Sequence, residues 1–511
     1  MSEDKFNWLV MTDVDAIQSY LFSSIRLSTI AGASQIVVDN DKRIKEIAGN
    51  FGGIALFSAG GAAVVLLRCE TSGTAQDFIE QAKKAFSQKS ISGHLSTSDP
   101  IDLHKYEHNF AEAITAAAES LEKNKRLGYL LGEAAIPPLA RRCDTCGNEA
   151  AIAPHRFGEE TYWLGPTCDA KRNARERDWL TLLKQHDEWS KLRYKHLADD
   201  FSELAGDDYL AVVVADVNGV GIRLREIQSR EDYVRFSKGL DDAVKVALQA
   251  ALLKGSAPSR ENVLAGTKKL PLQVLFQGGD DIILACQGQL ALPLVQTLTK
   301  TFAEQAKGSW TGGSPMGMSA GLVLTHPKFP FLTAHHIAER LLSEAKQTAR
   351  KEKWTSGAVD FAIISESHAS PQAILDDRVI RYGDNDSLFL TGRPLHVADT
   401  GMRSLGVFKE ACRLAKSFPR NKLFDLRQRC AAPYWEPAKT QVEFNTRVKE
   451  LKQYIEDWLA RVGRRSEMAK LWNDVLATLE LKADGFYPSN GNTWRTPLGD
   501  LADAIGLWEP E

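Results

Sequence analysis

Four consecutive residues, Gly278-Gly279-Asp280-Asp281, set two carboxylates beside two residues without side chains, between the apolar stretches 272–276 and 282–286. Short apolar runs around such a tetrapeptide read as a β-hairpin with acids at its tip. A third acid, Asp216, closes the run Ala211-Val212-Val213-Val214-Ala215, so a buried strand delivers it at its end. Magnesium and manganese take oxygen ligands and keep places for water and phosphate oxygens, so a few carboxylates suit them better than a closed protein cage. Asp216 with Asp280 or Asp281 meets that demand, and two such ions beside a nucleoside triphosphate make a nucleotidyl-transfer site. Gly278 and Gly279 are expected to take positive φ in a two-residue turn and to let a triphosphate approach the backbone.

Further residues fit around that core. Asn218, Gly219 and Gly221 form a loop of small residues in which backbone groups can approach a sugar or phosphate. In 338–346, Leu341, Leu342 and Ala345 take the core face of a helix and leave Lys346 at its edge, where it can steady β and γ phosphates as a point charge. Cys143 and Cys146 are spaced to share one zinc ion, with Cys168 as third ligand. Gly165 and Lys171 stand where a second Cys-x-x-Cys around Cys168 would be completed. That leaves His155 or Asp169 as fourth ligand, or a site without metal. His186-Asp187 stands in a polar segment and reads as a surface pair, not a phosphohydrolase centre.

The elements that must position these groups follow from periodicity. From residue 209 the pattern is strand 209–216, helix 231–253, hairpin 272–286, helix 290–306, strand 317–325, helix 333–351 and strand 358–364, a βαββαβ unit. The N-terminal part repeats the opening. Trp8-Leu9-Val10-Met11-Thr12-Asp13-Val14-Asp15 resembles 212–218, and Phe57-Ser58-Ala59-Gly60-Gly61-Ala62-Ala63-Val64 stands where the hairpin belongs, with Ala62 and Ala63 in place of the acids. The expected fold class is α+β: two ferredoxin-like palm domains of the nucleotide cyclase and polymerase kind, a zinc-knuckle insert and a C-terminal helical bundle. The expected domains are a degenerate palm over 1–135, the knuckle with a charged linker helix (171–192) over 136–200, a catalytic palm over 201–370 and a helical domain over 371–511, with helices at 403–417, 442–462 and 466–481.

Composition narrows the class. With 511 residues and 43% apolar content the chain can bury several cores, about three or four by length. Sixty-three basic residues face 66 acidic ones, so no broad field draws polyanions to it. No apolar run approaches a membrane span, and Met1-Ser2-Glu3-Asp4 is acidic where a signal peptide is basic, so a cytoplasmic protein without membrane contact is expected. Seven cysteines, only three of them clustered, fit a reduced compartment; Cys69, Cys286 and Cys412 read as small buried apolar groups.

The order of parts over roughly residues 7–480 resembles the large subunit of type III CRISPR effector complexes, the CRISPR polymerase family. The resemblance rests on Asp13-Val14-Asp15-Ala16-Ile17-Gln18-Ser19-Tyr20 and Ala31-Gly32-Ala33-Ser34 in a first palm, then the cysteine knuckle, Gly278-Gly279-Asp280-Asp281, the Ala345-Lys346 helix and a helical tail. It implies synthesis of cyclic oligoadenylate second messengers from ATP in antiviral defence, through attack of one ATP's 3′-hydroxyl on the α-phosphorus of another. The implied partners are ATP, other CRISPR effector subunits and guide or target RNA. The implied metal ligands are Asp216, Val217, Asp280 and Asp281. Lys346 would take the triphosphate; Asn218, Gly219, Gly278 and Gly279 would bind nucleotide, and Asp13, Gly60 and Gly61 would face a second ATP. The first palm begins near residue 7, which leaves no room for the HD nuclease that opens many members, so no DNA cleavage is expected. Two other readings are a catalytically silent scaffold of an RNA-guided complex, with Lys171, Arg172, Arg175 and Arg177 as its basic cluster, and a stand-alone cyclic dinucleotide or oligonucleotide synthase. A GGDEF-type diguanylate cyclase fits less well, because Asp281 and Ile282 replace its Glu and Phe and it has no second, degenerate palm.

Overall fold

The computed structural model describes residues 6–106, 109–128, 136–157, 160–364, 370–383, 386–431, 434–435, 438–462, 466–488 and 493–508; the acidic residues 1–4 lie outside them. The chain forms two compact units, one of Met1–Leu204, Gly219–Ala285 and Gln305–Ser314, the other of Ala205–Asn218, Cys286–Glu304 and Pro315–Glu511.

In the first unit, strand Trp8–Val14 is followed by helix Leu27–Asn50, the hairpin Ile54–Ala59 with Ala62–Leu67, helix Ser72–Ser90, strand Leu95–Thr97 and helix Phe110–Gly128. Strand Trp8–Val14 lies between Ala62–Leu67 and Leu95–Thr97, antiparallel to both. The repeat is therefore a whole palm, not only its opening. Its core forms because Val10, Val14, Val65 and Leu67 of the strands meet Ile36, Ile44 and Ile47 of the first helix and Phe78 and Phe86 of the second, all nearly excluded from water. Thr71 starts the second helix by accepting from the Thr74 amide at 3.2 Å.

Small residues set the spacing of the first helix. A methyl group on Gly32 would sit 1.8 Å from the Lys171 carbonyl oxygen, so the knuckle's helix lies directly on this one. The single charged helix expected over 171–192 is corrected here: the structure has Pro166–Asn173, Leu180–Lys184 and a 3₁₀ turn at Asp187–Trp189. The break is made by Arg177, which folds back to donate to the carbonyls of Ala174 and Glu176, both at 2.6 Å, and reaches the Ser28 carbonyl at 3.2 Å. Lys171 and Arg177 are buried, so they are not part of an exposed basic cluster. His186 and Asp187 are exposed, as a surface pair should be.

The second palm follows the expected order closely: strand Leu210–Val217, helix Arg230–Ser256, strands Leu272–Gln277 and Asp281–Gln287, helix Gly288–Gln305, strand Met318–Thr325, helix Phe331–Lys351 and strand Ala358–Ile364. In the second unit, Leu210–Val217 pairs antiparallel with Met318–Thr325, which pairs in parallel with Ala358–Ile364. Helix Phe331–Lys351 lies close on Met318–Thr325, because a methyl group on Gly321 would meet the Ala338 carbonyl oxygen at 2.1 Å. Leu341, Leu342 and Ala345 are buried beneath it.

The C-terminal part has the expected helices, at Leu405–Ala415, Gln441–Val462 and Ser466–Thr478, with Arg420–Arg429 in addition. It also has a three-stranded sheet, Val379–Tyr382, Asp386–Phe389 and Thr493–Arg495, that periodicity does not reveal. Strands of three or four residues leave too few alternations to read. No described helix is long and apolar enough to cross a membrane. Cys286 and Cys412 are buried, whereas Cys69 is only half-buried.

Candidate active site

Asp216 stands one residue before the end of its strand, opposite Ser319 on the return strand. Burial of Leu210–Ala215 on both sides fixes that strand, so the carboxylate is held at a rigid edge with about a fifth of its side chain in solvent. Lys346 comes down from the helix above and forms an ion pair with Asp216. The pair is partly exposed, so it adds little to stability; it sets a positive charge beside the carboxylate. Val217 is buried, Asn218 donates its amide to the Gly317 carbonyl at 2.8 Å, and Gly219 follows in the left-handed region at φ 81° with open space beside it.

In the first unit the Gly278-Gly279-Asp280-Asp281 turn closes with the Gly278 amide donating to the Asp281 carbonyl at 2.7 Å. Asp280 is half-buried and Asp281 exposed. The expectation of positive φ at Gly278 and Gly279 is corrected: neither takes it. They lack side chains because the first palm leans on them. A methyl group on Gly60 would lie 2.6 Å from the Gly278 Cα, and one on Gly279 would lie 2.7 Å from the Phe57 ring. The left-handed glycines are those of the first palm's hairpin, Gly60 at φ 65° and Gly61 at φ 85°.

Besides Asp13, Gly60 and Gly61, the first palm carries Lys125, His94 and Asp41, which sequence reasoning passed over. Asp13 is paired with Lys125 from helix Phe110–Gly128 and stands opposite Ser96 on the return strand. Burial pushes the Asp13 carboxyl up, against the pull of Lys125. Asp15 accepts from Ser96 at 2.6 Å and meets His94 Nδ1 at 2.5 Å. Asp41, on helix Leu27–Asn50, accepts the Gly61 amide at 3.2 Å, and burial pushes its carboxyl up to about 7. A lone helical Lys or Asp has no signal of its own. The repeat did offer one for Lys125: the helix after the fourth strand of either palm should carry the same residue. A cavity of about 310 Å³ opens in this unit, lined by Lys42, Lys45, Gly60, Lys245 and Gly278 among others.

Cys143, Cys146 and Cys168 are free thiols whose sulfurs lie within 4.8 Å of one another. Hydrogen bonds among them pull Cys143 down and push Cys168 up. Three converging sulfurs therefore fit zinc. His155 is not in that group, and its Nε2 lies 2.6 Å from Asp169. Lys171, in the position of a fourth cysteine, is buried and donates to the Tyr20 carbonyl and to Ser23 Oγ. Burial pushes its ammonium down to about 8.

A sequence model of the Cas10/Cmr2 second palm domain matches residues 209–355. No curated protein matches the chain. Among solved structures, the Csm1–Csm4 cassette with pppApA is similar at 15% identity and a TM-score of 0.52, over 98% of this chain and 69% of that one. The apo cassette is similar at 14% identity and 0.51, over 99% and 70%, and the cassette with cA3 at 15% and 0.51, over 99% and 71%. The match to a cassette with pppApApA spans only 53% of that chain. At such identity the likeness is one of fold. Residues 209–355 match a Cas10/Cmr2 second palm domain, and with the fold shared with Csm1 the resemblance to the large subunit of type III CRISPR effector complexes stands.

Proposed function

We propose that the chain is a metal-dependent nucleotidyltransferase that links ATP into cyclic oligoadenylate, acting with CRISPR effector subunits and guide or target RNA. The observation that carries this reading is the close approach of the acid-bearing hairpin to the Gly60-Gly61 turn of the other palm, which leaves no room for a side chain at Gly60. A reaction between two nucleotides needs two platforms facing each other, and one chain that contains both gains the proximity a pair of single-palm subunits must find by association.

Asp216, the Val217 backbone, Asp280 and Asp281 would hold two magnesium or manganese ions, which when bound lower the pKa of a coordinated hydroxyl and offset charge on the leaving pyrophosphate. The protein's own part is positional. Lys346 balances Asp216 before substrate arrives and is long enough to turn its ammonium to a phosphate. Asn218 and Gly219 present backbone to the sugar, and Gly278 and Gly279 keep side chains away from the triphosphate. Asp13, Gly60 and Gly61 would line the second nucleotide's place; in the cavity beside Gly60, Lys42 is paired with Asp178 and Lys245 with Asp241, both at 2.5 Å. Cys143, Cys146 and Cys168 would hold zinc, and His155 or Asp169, paired with each other outside the sulfur cluster, would have to leave that pair to complete the shell. Solved relatives carry Csm4, AMPPNP and cyclic oligoadenylates, in keeping with these partners.

The test is the purified chain, alone and with its partner subunits, given labelled ATP or GTP with magnesium or manganese. Cyclic oligoadenylate is the expected product, and the double variant Asp280→Asn, Asp281→Asn should lose it with an unchanged melting curve. Normal product from that variant would refute the metal role of the hairpin.

A further inference from the structure

A second cavity, of about 410 Å³, lies wholly within the second unit, and seven cationic side chains line it against four carboxylates. It sits between helix Phe331–Lys351, strand Val379–Tyr382 and strand Thr493–Arg495. Some of its cations have structural partners. Arg378 donates to both carboxylate oxygens of Asp360 at 2.9 Å and to the Phe361 carbonyl at 2.7 Å. Arg393 pairs with buried Asp500 at 2.8 Å. Arg403 donates to the carbonyls of Gly392 and Pro394 at 2.9 and 3.0 Å and reaches Glu352 at 3.4 Å. Arg340 pairs with Glu344 at 2.9 Å.

Three cations have no such carboxylate. Arg495 uses one nitrogen, Nη1, to donate to the carbonyls of Thr391 and Arg393 at 2.9 and 3.1 Å, and its guanidinium lies 4.0 Å over the Phe389 ring. Among the described residues no carboxylate pairs with it, nor with Arg381 or Lys351, which are exposed at the rim. Burial, then the neighbouring charge of Arg403, pushes Arg495 down to about 9. Holding a guanidinium there is costly, and an anion in the cavity would relieve that cost. The ring under Arg495 fixes the plane of the fork, which leaves Nε and Nη2 available as a preset pair of donors.

We propose that this cavity binds a terminal polyphosphate, the group shared by a free nucleoside triphosphate and a 5′-triphosphorylated RNA end. Its volume is that of a small-ligand pocket, and its unpaired cations converge from separate elements instead of forming a track, which suits a compact polyanion. Arg495 provides the fixed donors at the base; Arg381 and Lys351 close over the outer phosphate.

Calorimetric titration of the full chain with inorganic pyrophosphate, in EDTA, separates this site from a metal-dependent palm. Saturable binding that weakens with added salt is expected. Arg381→Ala with Lys351→Ala, both at the exposed rim, should weaken it about tenfold or more, and Arg495→Gln should do the same. Asp281→Asn should leave it intact. Absence of binding, an unchanged affinity in the rim variant, or loss of binding in Asp281→Asn would each overturn the assignment. ATP and a short 5′-triphosphorylated RNA should displace pyrophosphate and so rank the two sources. Displacement by the same RNA with a 5′-hydroxyl would replace the terminal-phosphate site with a general backbone surface.

Discussion

The two palms build the same device twice and finish it once. In each, the strand that opens the domain carries an acid one residue before its end, Asp13 or Asp216, which stands opposite a serine on the return strand and is paired with a lysine from the helix that follows. The hairpins then differ. One carries Gly60-Gly61-Ala62-Ala63 with two left-handed glycines, the other Gly278-Gly279-Asp280-Asp281 with none. An acid–lysine pair is therefore common to both palms and does not tell them apart. The difference lies at the turn, where one hairpin offers carboxylates and the other offers only bare backbone pressed against it.

The largest effect should come from comparing the two acids. Asp216→Ala is expected to lower turnover about a thousandfold by removing a metal ligand, whereas Asp13→Ala should raise KM for ATP with kcat changed less than about tenfold. Steady-state kinetics on both variants decides it, and equal losses in kcat would mean that both palms hold reacting groups. Next is Gly60→Ala, which forces a positive φ on alanine and puts its methyl group into the Gly278 backbone. A loss of about 1–3 kcal/mol in urea unfolding is expected, with reduced turnover. Gly221→Ala, in helix Val220–Glu226, meets nothing within 4 Å and lies outside the left-handed region, so it should leave stability unchanged or raise it slightly.

The smallest effect is one of pH. The Asp41 carboxyl, ordinarily near 3.8, is raised to about 7 by burial, so the folded protein keeps a proton that the unfolded chain has released. Its contribution to stability is fully present below about pH 4 and is lost as pH rises through about 7. Asp41→Asn keeps an acceptor for the Gly61 amide and cannot ionise. Its melting temperature should fall less between about pH 5 and about pH 7.5 than that of the native protein, a difference on the order of 1–4 kcal/mol at the upper end. Parallel curves would show that the turn of the first palm is not tied to this proton.

Much of the second palm was legible because its strands are short continuous runs of Val, Ile, Leu and Ala bounded by glycine or acid. Ala358–Ile364 falls where periodicity put it, and the hairpin differs by one residue. Lys346 was legible because Leu341, Leu342 and Ala345 fix the helix face. Lys125 and Asp41 were not, since their meaning comes from residues 112 and 20 positions away in the chain. The broken linker helix failed for a related reason: helical spacing favours continuity, and burying Arg177 and Trp179 overrides it.

Helix Leu27–Asn50 carries both Gly32, which rests on the knuckle's backbone, and Asp41, which grips the Gly61 amide. Nine residues of helix span about 14 Å with little give. A shift of the knuckle's helix against Gly32 thus has a stiff rod by which to reach the Gly61 amide and the turn that meets Gly278.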